Sequence, residues 1–226
     1  MAARPASGIF VTGTDTGVGK TVVACALLRQ WAARGQRVVG MKPVAAGVAA
    51  GALVNDDVAA LAALSNVEAP LSARNPFAFA PAIAPHLAAA EAGVAIDLGR
   101  IGAAYDALAR CADRIVVEGA GGVWVPLDRR SDMLDVARAL SLPVLLVVAM
   151  RLGCLNHALL SAHAIQARGL ACAGWVANLV DPQMARRDGN LHALEMRLPA
   201  PRVATLDWGR PDAPQWGPGA AALGLA

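Results

Sequence analysis

Disulfides, metal clusters and membrane spans find little support in this sequence of 226 residues. Its four cysteines, Cys25, Cys111, Cys154 and Cys172, are scattered without a C-x-x-C pair. They read as reduced structural thiols, not as a disulfide framework or a thiolate cluster. The four histidines lack ligand spacing: His157 and His163 stand six apart on a helical pattern, and His86 and His192 are isolated. Two ligands on one helix face need a spacing of about four. No Ser-His-Asp or Cys-His constellation is present. The longest apolar run, "LPVLLVVAM" (142–150), is about half of the roughly 20 residues that span a bilayer. The leader "MAARPASG" has no apolar stretch, so a secretory signal is not expected and a cytoplasmic location is. Basic residues do not cluster either. Net charge is +3 with pI near 8.9, and the densest pairs, Arg129 with Arg130 and Arg186 with Arg187, each sit beside an aspartate. They read as solvated loops, not as a nucleic-acid surface.

What is present is apolar. Hydrophobic residues make up 56% of the chain and mean hydropathy is +0.46, much of it alanine. That supports a sizeable core and argues against disorder.

"GIFVTG" (8–13) reads as a buried parallel strand ending in glycine. "KTVVACALLRQWAAR" (20–34) has helical periodicity and stops at Gly35. "RVVGMKP" (37–43) is a second strand. Helices are expected over 56–64, near 85–92 and over 97–110, with an irregular proline-rich stretch at 70–86. Further strands are expected at 113–122, 142–150, 170–178 and 201–206, with a helix over 155–168. Strands alternating with helices imply an α/β fold of P-loop type: a mostly parallel sheet with right-handed crossovers and helices on both faces. The whole chain, 1–226, reads as a single domain with a flexible leader at 1–7 and an irregular tail at 207–226. Ligands in such sheets bind at the carboxyl ends of the strands. Attention therefore falls on 13–21, 42–47, 118–122, 150–156 and 178–182.

The first of these, "FVTGTDTGVGKTVV" (10–23), nearly matches the phosphate-binding pattern G-x-x-x-x-G-K-[ST]. Gly19, Lys20 and Thr21 are in place, but Thr14 stands where the first glycine belongs and Gly13 is one residue early. Glycines let backbone N–H groups face phosphate oxygens, and the helix starting at Lys20 adds its positive end. Lys20 would reach terminal phosphates and the Thr21 hydroxyl would hold Mg²⁺. The bland alternative is a glycine turn with Thr21 as a cap.

Glu118 ends an apolar strand, where P-loop proteins place a carboxylate of the Mg²⁺ site. The alternative is a solvent-facing strand end. The glycines at 119–122 favour a close backbone approach to a ligand. Asn55 or Asp56 caps the helix at 56, which leaves a carboxylate without a structural task, and Asp57 is the third candidate metal ligand. Lys42 is held extended by Pro43 at a strand end. It is either an ordinary exposed lysine or a fixed cation for a transferring phosphoryl group. Asn178 ends the fifth strand, either as a turn residue or as an amide that pairs with a purine edge.

Five segments in order, "FVTGTDTGVGKT", "GMKPVAAG", "VVEGAGGVWVPL", "RLGCLNHALL" and "GWVAN", resemble dethiobiotin synthetase, whose first loop reads G-T-D-T-x-V-G-K-T. The resemblance runs from about Gly8 to Asn178 and fades over the last 45 or so residues, where only "PAP" (199–201) is familiar. It implies ATP-dependent closure of a ring: 7,8-diaminopelargonic acid, CO₂ (or bicarbonate) and ATP give dethiobiotin, ADP and phosphate. The implied route is a carbamate, then a carbamic-phosphoric anhydride. It implies Lys42 and Lys20 as catalytic residues, and Thr21, Asp57 and Glu118 around Mg²⁺. ATP contacts are implied at Gly17, Val18, Gly19, Lys20, Thr21 and Val22, at Asp57 and Glu118, at Gly119, Ala120 and Gly121, and at Asn178 and Leu179. Substrate contacts are implied at Thr16, Lys42 and Ala46. Leu155 and Asn156 would offer backbone N–H groups across the interface of a homodimer.

Three positions depart from the family pattern. Gly17 replaces an acidic residue of some members, Ala46 stands where a serine is expected, and "ATLDWG" (204–209) differs from the usual base-pocket stretch. The rival reading is a P-loop ATPase switch of the partitioning or metal-insertion type. Those proteins resemble K-G-G-x-G-K-[ST], and here Asp15 occupies the early lysine position. The amidotransferase-type synthetases of cobalamin assembly share the fold but need a second domain that 226 residues do not hold.

Overall fold

The computed structural model describes residues 7–210 and 213–225. The leader expected over 1–7 lies, apart from Ser7, outside the described residues.

The strands β1 (Ser7–Gly13), β2 (Val38–Met41), β5 (Arg114–Gly122), β6 (Val144–Ala149), β7 (Cys172–Asn178), β8 (Arg202–Leu206) and β9 (Gln215–Trp216) form one sheet. Its order is β2-β5-β1-β6-β7-β8-β9, parallel throughout except where β9 runs antiparallel to β8. Two further strands, β3 (Val44–Ala46) and β4 (Phe77–Phe79), pair in parallel as a separate small sheet.

The strands are apolar without alternation because both faces are covered. Ile9 and Val11 point to the layer that contains α1 (Lys20–Ala33) and α2 (Asp56–Leu64), where Leu27, Leu28, Trp31 and Leu61 are buried. Phe10 points the other way. There it meets the layer supplied by α3 (Leu71–Arg74), α4 (Pro85–Glu91), α5 (Leu98–Ala109), α6 (Met133–Ala139), α7 (Cys154–Ala167) and α8 (Arg187–Arg197). No helix among the described residues is long and apolar enough to cross a membrane.

The stretch 70–86, expected to be irregular, instead holds α3, β4 and the start of α4. Its prolines lie between the elements or at their first positions, where a missing N–H costs nothing; Pro85 opens α4. Neither α6 nor α8 was expected. Helix α6 is fixed by a reciprocal cap: Asp132 accepts from the Leu134 and Asp135 N–H groups while Asp135 accepts from that of Asp132. Arg168, at the end of α7, holds both carboxylates at 2.5 and 2.7 Å. In the tail, where no regular structure was expected, β9 is followed by a 3₁₀ turn over Pro218–Leu223. That turn docks on α1: Trp31 Nε1 donates to the Leu223 carbonyl at 3.1 Å and Arg34 Nη2 to that of Leu225 at 2.9 Å.

Candidate active site

The central strand β1 ends at Gly13, and residues 14–19 turn into α1. The early glycine has a packing reason. A Cβ at Gly13 would lie 2.4 Å from Val18 Cγ2, and Val18 is buried beneath the loop. Gly17 and Gly19 have φ of 72° and 93°, the left-handed region that glycine adopts without strain. Gly19 begins α1 with no side-chain cap and no acidic residue in the first turn. The leading N–H groups and the positive helix end are thus free for an anion.

The loop forms one wall of a cavity of about 750 Å³ at the carboxyl ends of the strands. Thr16, Gly17, Gly19, Lys20, Thr21 and Val22 contribute from the loop and α1. Lys42, Ala46, Asp57, Glu118, Ala120 and Gly121 contribute from the neighbouring elements.

Lys20 is buried, and its ammonium donates to the Asp15 carbonyl at 2.9 Å. Burial, and then the Lys42 cation, push its pKa down to about 8 against the pull of Glu118, Asp57 and Asp15. Lys42 follows β2 and is pinned at both backbone ends. Its N–H donates to the Arg74 carbonyl at 2.8 Å, and its carbonyl accepts Asn75 Nδ2 at 2.7 Å. Its ammonium stands 2.5 Å from Asp57 Oδ2 and 2.6 Å from Glu118 Oε1.

Asn55 caps α2 by accepting the Asp57 N–H at 3.0 Å, and its amide holds the Ala46 and Gly47 carbonyls at 3.2 and 3.3 Å. Asp57 is thereby turned inward while Asp56 stays exposed. The Thr21 hydroxyl lies 2.8 Å from Asp57 Oδ1 and 2.9 Å from Glu118 Oε1, and its single hydrogen can serve only one of them.

Burial penalises charge on Lys42, but Glu118 and Asp57 outweigh that and hold its pKa high. Asp57 also resists burial, and the Lys42 charge brings it below the usual carboxylate range. Glu118, with no exposure at all, is pushed upward by burial in spite of Lys42. Its Oε2 is buried without a hydrogen-bond partner.

Two carboxylates and a hydroxyl are hard oxygen donors beside a phosphate-binding loop. That set suits Mg²⁺, which takes one or two carboxylates together with phosphate and water oxygens. No group of three or more His, Cys, Asp or Glu side chains placed to hold a metal ion is found among the described residues.

Other expected contacts lie apart from the cavity. Asn178 directs Nδ2 to the Val18 carbonyl at 2.8 Å, and a Cβ on Gly19 would meet that nitrogen at 2.3 Å. Its second amide hydrogen and its oxygen are left for other partners. Leu179 is buried, and its N–H donates to the Leu206 carbonyl at 2.9 Å. Gly119 backs onto Phe10, whose Cζ would be 2.9 Å from an added Cβ. Leu155 and Asn156 sit in the first turn of α7 and do not line the cavity.

The sequence reading missed the apolar wall of the cavity, formed by residues 82–85 with Val125 and Pro126. It also missed Asn75, whose signal was only an Asn-Pro pair, and Arg151, which meets Asp15 at 3.1 Å.

A parallel sheet whose central strand delivers a glycine loop, a buried lysine and a threonine to a helix start defines a P-loop nucleotide-binding protein. A family model described as an AAA domain matches residues 7–212. In fold the chain is similar to chloroplast FtsY from Physcomitrella patens, with TM-score 0.53 and 19% identity, covering 100% of this chain and 66% of that one. Its fold is likewise similar to that of cell division protein FtsY from Thermotoga maritima, with TM-score 0.52 and 16% identity, covering 98% and 68%. In sequence it is 54% identical to the ATP-dependent dethiobiotin synthetase BioD of Nitrosospira multiformis over 89% of this chain and 88% of that one. Identity to the protein of that name from Aromatoleum aromaticum is also 54%, over 87% and 88%. For Xylella fastidiosa it is 51%, over 86% and 87%. The chain belongs to the dethiobiotin synthetase family of enzymes.

Proposed function

We propose that the protein closes the ureido ring of dethiobiotin from 7,8-diaminopelargonic acid, CO₂ and ATP, acting as a cytoplasmic homodimer. The observation that supports this most strongly is the Lys42 ammonium at 2.5 to 2.6 Å from Asp57 and Glu118, beside Lys20 and Thr21 in one cavity.

In this reading the diamine is carboxylated to a carbamate, and a carbamate oxygen attacks the γ-phosphate of ATP, breaking its bond to the β-phosphate and displacing ADP. The second amine then attacks the resulting carbamic-phosphoric anhydride and expels phosphate. Such steps need positioning and charge neutralisation more than a strong protein base. The loop N–H groups and the start of α1 cradle the phosphates. Lys20 takes the terminal phosphate charge, and Lys42, fixed at both backbone ends, faces the carbamate and the transferring phosphoryl group. Thr21, Asp57 and Glu118 would hold Mg²⁺, which when bound neutralises phosphate charge. Thr16 and Ala46 flank the reacting end of the diamine, and the apolar residues 82–85 offer a dry surface to its methylenes. The backbone N–H groups at Leu155 and Asn156 serve the carboxylate of the substrate held by the other subunit, which is consistent with their lying outside the cavity. Gly119, Asn178 and Leu179 are assigned to the nucleotide.

The test is ADP release with and without diaminopelargonate plus bicarbonate, with dethiobiotin followed by mass spectrometry. Hydrolysis that ignores the diamine, with no dethiobiotin formed, would overturn the reading.

A further inference from the structure

The phosphate loop is fastened to the β6–β7 side of the sheet by two backbone anchors. The Thr14 N–H donates to the Val147 carbonyl at 3.0 Å, and Asn178 Nδ2 to the Val18 carbonyl at 2.8 Å. Asp15 lies between these anchors with all of its acceptors engaged. Oδ1 accepts the Thr16 N–H at 2.7 Å, the carbonyl accepts Lys20 Nζ at 2.9 Å, and Oδ2 faces Arg151 Nη2 at 3.1 Å. Arg151 follows β6 in the turn that enters α7, where its carbonyl accepts the Cys154 N–H at 3.0 Å. Neither Asp15 nor Arg151 lines the cavity, yet Thr16 and Lys20, both bonded to Asp15, do.

We infer that Asp15, locked by Arg151, is a positioning residue that fixes the Thr16 N–H and the Lys20 ammonium relative to the end of β6. The pair itself is about half exposed. Such pairs add little to global stability, so the consequence of this one falls on the loop and not on the fold. It also ties the phosphate loop to the turn that leads into α7. The inference rests on the assignment of Lys20 to the phosphates of ATP.

The experiment compares full-length Asp15→Asn, Arg151→Met, the double variant and Arg151→Lys. Asn at position 15 keeps an acceptor for Thr16 and removes only the charge. Each single charge-removing variant is expected to raise KM for ATP about two- to fivefold, the range of a contact of this class, with melting unchanged. The double variant should be no worse than either single one, and Arg151→Lys should recover most of the loss. The difference from the parent should shrink in roughly 1 M salt, where exposed pairs are screened. Additive losses, an unchanged KM, or a fall in melting temperature that accounts for the loss would each overturn the inference. A Lys20→Ala control separates the two levels. If ATP binding survives that change, the reading of the site fails; if binding is lost while Asp15→Asn and Arg151→Met behave like the parent, only the inference fails.

Discussion

Lys42 Nζ lies 2.6 Å from Glu118 Oε1, and the two side chains are 6% and 0% exposed, so an ion pair is buried between the residue that follows β2 and the middle of β5. Taking two charges out of water is costly, and their mutual attraction offsets it only while both are present. The pair therefore poises the site and, at the same time, makes it fragile.

Removing one partner should show both effects. Lys42→Met is expected to cut dethiobiotin formation by about 10²–10³, the scale for losing a fixed electrostatic stabiliser, while ATP binding by calorimetry stays close to that of the parent. It should also lower unfolding free energy by about 3–5 kcal/mol, because Glu118 is left buried and uncompensated. Lys42→Met with Glu118→Leu should regain most of that stability in urea titrations without regaining turnover. Loss of nucleotide affinity in Lys42→Met would move the lysine to a binding role.

Because we assign Lys20 to the phosphates of ATP, nucleotide binding should depend on pH. Its free-state pKa of about 8 comes first from burial and then from Lys42, and phosphate oxygens near the ammonium must raise it. Binding above pH 8 therefore takes up a proton, and ATP affinity declines as pH rises through about 8, by at most tenfold per unit. The folding linkage has the opposite sign. Between about 8 and the ordinary value of 10.5 the unfolded chain binds more protons, so this residue's contribution to stability rises with pH over that window. Calorimetry in two buffers of different ionisation enthalpy measures the uptake. Equal heats at pH 9 would contradict it.

The two kinds of glycine in the loop should respond differently to repair. Gly13→Ala places a Cβ 2.4 Å from Val18 Cγ2, so ATP binding should fall sharply and return in part with Val18→Ala. Gly19→Ala meets Asn178 Nδ2 at 2.3 Å and also carries a φ of 93°, which costs about 1–3 kcal/mol for a residue with a side chain. Asn178→Ala should therefore fail to rescue it. Fluorescent-nucleotide titration of the four variants checks both statements.

Truncation before Gly217 removes the carbonyls that Trp31 and Arg34 bond, and with them the buried Leu223 and Leu225 that share a core cluster with Trp31 and Val203. A lower melting temperature is expected, with unaltered ATP affinity in the fraction that stays folded. A shift in affinity instead would tie the tail to the site.

The site was legible where chemistry and chain geometry coincide. Gly19, Lys20 and Thr21 follow a strand and open a helix, and Glu118 ends an apolar run, so the sheet had to gather them. Asp57 could be singled out because Asn55 was free to cap α2 in its place. The wall at 82–85 was not legible, since the preceding β4 has only three residues and the prolines on either side of it, Pro76, Pro81 and Pro85, hide the elements they separate. Helix α8 left no signal because Leu194 is its one fully buried residue. Asn75 acts through a backbone carbonyl 33 residues away, a contact that periodicity cannot reveal. Helix α6 was readable in principle, since Asp132 and Asp135 have capping-box spacing ahead of an apolar pattern.

The position of β1 has a consequence for how the molecule comes into being. The strand that delivers the phosphate loop is made first, yet its neighbours are β5 and β6, with Phe10 beside Val117 and Val144. During synthesis the loop's strand gains its first neighbour, β5, only when just over half of the chain exists and its second, β6, at about two thirds, and closing such distant pairings is slow. Capture of ATP by a nascent or refolding chain therefore reports on completion of the sheet's centre, and the nucleotide stabilises only molecules that have passed that stage.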